Sequence, residues 1–64
     1  MSQKIIDEIN RYSCFKFDQN RNRVVNLKSK ENTNIEEFLG IQFMLDNNRV
    51  LHKFENNFEI QIVV

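Results

Sequence analysis

The sequence predicts a small α+β domain: one antiparallel sheet of about five strands, with an N-terminal helix and a short second helix packed on one face. Three observations predict it. The chain opens on apolar residues at helical spacing, Ile5, Ile9 and Tyr12. Two later stretches alternate apolar and polar residues with a period of two, broken by Asn-rich turns. Between them lies Thr33-Asn34-Ile35-Glu36, a capping-box pattern that starts a second helix.

The first helix spans Ser2 to Tyr12. Ser2 is suited to the N-cap, where its hydroxyl accepts from a free backbone N–H. Ile6 widens the apolar stripe, and Asp7 and Arg11 stand four apart in the favourable order. So short a helix is marginal by itself and needs a surface to pack on. A first hairpin follows, with Phe17 opposite Val25, Phe15 opposite Leu27, and Asn20-Arg21-Asn22 as its loop.

The second helix is expected over Asn34–Leu39, with Ile35, Phe38 and Leu39 inward and Gly40 as its stop. The alternative is a helix that continues through Gly40 to Leu45. The alternation of Ile41, Phe43 and Leu45 favours the stop and a third strand. That strand pairs with the next through the turn Asp46-Asn47, placing Phe43 opposite Val50. A last hairpin from Arg49 to Val64 has the loop Glu55-Asn56-Asn57, with Phe54 opposite Phe58, His52 opposite Ile60, Val50 opposite Ile62 and Lys53 opposite Glu59. A one-residue slip would exchange the faces, so the apolar pattern fixes the register.

One face then collects Phe15, Phe17, Val25, Leu27, Ile41, Phe43, Leu45, Val50, Phe54, Phe58, Ile60 and Ile62. The other carries Lys16, Asn26, Lys28, Gln42, Lys53, Glu59 and Gln61.

The 64 residues are read as one domain, 1–64, with no linker or repeat. A chain of this length buries only about 60% of its unfolded surface, which leaves little volume for an enclosed active site. Nine basic residues balance nine acidic ones, so no strong long-range field draws in nucleic acid or an anionic membrane. The solitary Cys14 excludes an internal disulfide and points to a reducing compartment. No stretch approaches the ~20 apolar residues of a membrane span, and the opening residues lack a signal-peptide pattern. A cytoplasmic location is the expectation.

Catalytic and metal chemistry find little footing. His52 is the sole histidine and falls on the core side, whereas parity puts Cys14 on the opposite face. A Cys–His nucleophilic pair needs hydrogen-bond contact, and a lone His holds no metal. Asp7-Glu8 and Glu36-Glu37 are adjacent pairs, which do not converge on a helix. No catalytic role, metal site or cofactor is expected.

Two surfaces remain. Val24, Met44, Leu51 and Val63 are apolar residues on the nominally polar face, and they are the candidate protein-binding residues. Phe58 to Val64 forms a strand without Pro, Gly or Lys. At an edge it would be a template for another chain, and in the middle of the sheet it would be covered. The expected function is a small intracellular protein-interaction module. It would act as an inhibitor or regulator by binding a larger partner protein, as antitoxins, immunity proteins and phage-encoded regulators do. A homodimer is a second expected assembly, since one small core gives limited stability. The alternative is a nucleic-acid-binding module using Arg21, Arg23, Lys28 and Lys30 around the first hairpin. Asp18 and Glu31 flank that cluster and weigh against it.

Overall fold

A computed structural model describes residues 1–63. The elements run α1 (Gln3–Arg11), β1 (Phe15–Asp18), β2 (Arg23–Asn26), a 3-10 turn (Lys30–Asn32), α2 (Ile35–Asn47), β3 (His52–Glu55) and β4 (Glu59–Ile62). Among the described residues the architecture is α+β, with four antiparallel strands in the order β1-β2-β4-β3. Both helices lie on one face. The core between the layers contains Ile5 and Ile9 of α1, Ile41 and Leu45 of α2, and Phe15, Val24, Ile60 and Ile62 of the sheet, with Cys14 beside them.

Helix α1 forms where the sequence places it. The Ser2 hydroxyl accepts from the Ile5 N–H at 3.4 Å, and Ile5, Ile6 and Ile9 are buried.

The fifth strand is not present. Residues 41–45 belong to α2, which runs straight through Gly40. The helical alternative is therefore the correct one, for three physical reasons. Phe38, Ile41 and Leu45 fall at i, i+3 and i+7, so one turn-by-turn stripe enters the core. Asn34, not Thr33, is the N-cap, and its carboxamide oxygen accepts from the Glu36 and Glu37 N–H groups at 3.0 and 3.3 Å. Gly40 is present for close approach: a Cβ there would lie 2.8 Å from the Tyr12 hydroxyl oxygen. Thr33 instead donates to the Ser29 carbonyl at 2.8 Å and accepts from the Asn26 carboxamide at 2.7 Å.

The stop comes at Arg49. The Val50 N–H donates to Leu45 O at 3.0 Å and the Arg49 N–H to Asp46 O at 3.1 Å, the two bonds of a Schellman ending. Arg49 occupies its left-handed position, with φ 56°. Glycine is the usual residue there, since the left-handed conformation costs an L side chain about 1–2 kcal/mol. Glycine also loses more chain entropy on folding. Arg49→Gly is therefore expected to stabilise the domain by about 0.5–1 kcal/mol in urea titrations. An unchanged or lowered midpoint would mean that the arginine side chain offsets its backbone strain.

Both hairpin registers differ from expectation. In the first, Phe17 faces Val24 and Lys16 faces Val25. The Asp18 carboxylate accepts from the Asn20 and Arg21 N–H groups at 3.0 and 3.2 Å, and Asn22 turns with φ 55°. The loop is thereby four residues long, and the one-residue slip exchanges faces. Val24 enters the core, Val25 moves to the open face, and Leu27 lies exposed beyond the strand.

In the last hairpin His52 faces Ile62, Lys53 faces Gln61, Phe54 faces Ile60 and Glu55 faces Glu59. The turn is Asn56-Asn57-Phe58, with φ 61° at Asn57 and 57° at Phe58. It still has three residues, but the pairing shifts by two. An even shift preserves the faces, so His52, Phe54, Ile60 and Ile62 remain on the helix side. Phe58 leaves the strand and sets its ring 5.2 Å from that of Phe38.

Strand β4 is central, between β2 and β3, so the last strand is not an edge. Its expected extension to Val64 lies outside the described residues. Cys14 is buried in the core and not on the opposite face. It stands in the bend between α1 and β1, where strand alternation does not apply.

Candidate functional site

Helix α2 carries more apolar residues than one core-facing stripe can absorb. With Phe38, Ile41 and Leu45 turned to the core, Ile35, Leu39 and Phe43 fall at i, i+4 and i+8 on another side. They are 49, 52 and 68% exposed. Eight residues of helix span about 12 Å, the length of this apolar ridge. Glu36 beside it is exposed, as is the carboxylate of Asp46 at its C-terminal end. The ridge is an apolar strip with an acidic border.

The aromatic side chains tie this helix to the sheet. Phe38 follows Ile35 by three positions and so adjoins the ridge. Its ring centroid lies 6.1 Å from Phe15, 5.6 Å from Phe54 and 5.2 Å from Phe58. Phe54, on β3, is itself 52% exposed. Toward the other end of α2, Asp46 Oδ1 is 3.6 Å from His52 Nε2, while His52 Nδ1 is 2.7 Å from the Val50 carbonyl. Helix α2 is thus held along β3.

The sequence reasoning missed this ridge. It turned Ile35 and Leu39 inward on a short helix and Phe43 inward on a strand. The available signal was the surplus itself, because a surface helix has room for one apolar stripe and not two.

The expected second-face patch is half assembled. Leu51 and Val63 are exposed, and the Val63 N–H donates to the Leu51 carbonyl at 2.9 Å, so they form a cross-strand pair at one end of the open face. Val24 and Met44 are elsewhere. Val24 is fully buried by the register slip, and Met44 packs against the core from α2.

The basic residues are dispersed. Arg21 Nε donates to Asp18 Oδ2 at 2.8 Å, which holds the Asp18 carboxyl below its ordinary range. Arg23 lies on the open face with Nη2 3.4 Å from Glu55 and Nε 3.8 Å from Glu59. It screens two carboxylates that stand opposite each other in the sheet. Lys28 and Lys30 are exposed in the segment after β2.

Among the described residues no three His, Cys, Asp or Glu side chains converge in metal-binding geometry. The Cys14 thiol lies 3.8 Å from the Ser13 hydroxyl, and His52 contacts Val50 and Asp46, so the two share no partner. Of the carboxylate pairs, Glu37 has a structural task. It accepts from the Cys14 N–H at 3.0 Å and from the Ser13 hydroxyl at 2.8 Å. No helix among the described residues is long and apolar enough to cross a membrane.

Comparisons with protein-family models, curated proteins and solved structures give no match to this chain.

Proposed function

We propose that this chain is a small intracellular protein-interaction module, an inhibitor or regulator that docks the outer face of α2 on a larger partner protein. The observation that carries the reading is the exposed ridge Ile35, Leu39 and Phe43 on a helix whose other apolar stripe already fills the core. Helices that enter a partner's groove present anchors at this i, i+4 spacing. The partner's complementary surface is an apolar groove with a basic rim, set against Glu36 and Asp46.

The test is capture from the native host with the wild-type chain and with Leu39→Glu/Phe43→Glu, followed by titration of the purified partner. Both substitutions sit on solvent-exposed positions, so the far-UV spectrum and urea midpoint are expected to stay near wild type. Affinity is expected to fall at least a hundredfold, as two central apolar anchors are lost. A partner that binds both chains equally would sink the reading.

In the alternative reading, nucleic-acid binding, Lys28 and Lys30 supply the free charge, because Arg21 and Arg23 are engaged with carboxylates. Its signature is affinity that falls steeply with salt.

A further inference from the structure

The two edges of the sheet are finished differently. At β1 the Phe17 N–H, which points away from β2, donates to the Asn10 side-chain oxygen at 2.9 Å. Helix α1 therefore closes that edge. At β3 nothing equivalent is present. Leu51 and Val63 form a hydrogen-bonded pair, so by alternation Lys53 and Glu55 direct their backbone groups to β4. His52 and Phe54 direct theirs outward, and among the described residues no hydrogen bond reaches them. A free edge with an exposed aromatic ring is a template for another strand.

We propose that a second copy of this chain occupies the edge, with β3 pairing antiparallel to β3 about a twofold axis at Phe54. The side chains of β3 select both the occupant and the register. With Phe54 opposite Phe54 of the second copy, the two residues exchange both N–H···O=C bonds and cover each other's half-exposed rings on the helix side. The same register sets Lys53 opposite Glu55 of the second copy on the open face. Symmetry repeats that pair, giving two opposite-charge contacts at the close, non-hydrogen-bonded positions. Moving the axis to Lys53 would set the two lysines against each other, so the charges disfavour the neighbouring register. The product is a continuous eight-stranded sheet, twice the four strands of one chain. The inference does not rest on the partner-binding reading, since the α2 ridge residues Leu39 and Phe43 are not needed for it.

Light scattering across a concentration series tests it with three chains: wild type, Lys53→Glu and Glu55→Lys. Wild type is expected to reach the mass of two chains. Each single variant places like charges opposite each other twice and is expected to dissociate with a constant raised roughly tenfold or more. An equimolar mixture of the two variants restores both opposite-charge pairs in a heterodimer, and the two-chain mass is expected to return. That recovery also shows that both variants fold. A wild-type chain that stays monomeric at millimolar concentration overturns the proposal and leaves the edge to a foreign strand. A dimer indifferent to both substitutions overturns it as well, because the contact would then lie elsewhere.

Discussion

Phe15→Ala is expected to leave the domain largely unfolded at room temperature. Phe15 is fully buried at the junction of β1, α1 and α2, where its ring meets that of Phe38 at 6.1 Å. Removing a buried phenyl ring costs about 3–5 kcal/mol, because the lost transfer energy is joined by the cavity left behind. Domains of this length hold only about 3–5 kcal/mol from a single core, so one substitution is comparable to the whole. Phe54→Ala is the control. It removes the same ring from the same aromatic group, but Phe54 is half exposed at the sheet edge. Its expected cost is about 1 kcal/mol, chiefly the ring contact with Phe38. Urea unfolding followed by far-UV circular dichroism checks both. Equal midpoints for the two variants would mean that the core is not centred where the burial places it.

The contrast between those two phenylalanines also shows what pattern reading can and cannot supply. The apolar alternation puts both on one face of the sheet, and both lie on it. Alternation gives the face and says nothing about what covers it: both residues stand on edge strands, but α1 packs over β1 and Phe15, while Phe54 on β3 stays half exposed. Helix α1 was legible because its stripe, its cap and its length agree. The last hairpin kept its faces because its register error was even. The first did not, because Asp18 gathers two loop N–H groups and lengthens the turn by one residue. A local side-chain bond thus outweighed the apolar pattern, and it carried Val24 from the candidate site into the core.

Residues 41–45 were ambiguous for a different reason. Apolar residues at 35, 38, 39, 41, 43, 44 and 45 satisfy a period of two and a period of 3.6 over so short a stretch. The alternation of Ile41, Phe43 and Leu45 favours a stop that Gly40 fits, and nothing local announces that Tyr12 packs above Gly40. The candidate site was lost with the strand assignment. Leu39 and Phe43 become neighbours on a ridge only if the helix runs unbroken through Gly40. The site residues were therefore present in the sequence, but their juxtaposition depended on a contact 28 positions away, between Gly40 and Tyr12.

The last expected result is destabilisation by Glu37→Gln, at a carboxylate for which the sequence predicts no catalytic role. Glu37 receives the Cys14 N–H at 3.0 Å and the Ser13 hydroxyl at 2.8 Å, with the Ser13 N–H more distant at 3.4 Å. It thereby fastens the α1–β1 link to the first turn of α2, and it also suits the positive end of that helix. Its carboxyl is held below the ordinary value of 4.5, first by the Cys14 N–H and then by Ser13, against the opposing effect of burial. A depressed folded value means that the ionised form is favoured by folding. The contribution is complete above the unfolded value and is lost as the pH falls through the folded one. Glu37→Gln keeps the shape but replaces one acceptor oxygen with a donor that faces other donors. The expected loss is about 1–2 kcal/mol at pH 7. Its charge-dependent part is under about 1 kcal/mol, because the carboxylate is open to solvent. Urea midpoints for both chains from pH 7 to pH 3 check the sign: the gap between them should narrow once the pH falls below about 4.5 and the wild-type carboxyl takes up its proton. A gap that widens in acid would show that Glu37 is better tolerated protonated than ionised, and that the N–H groups of Ser13 and Cys14 do not hold it in solution.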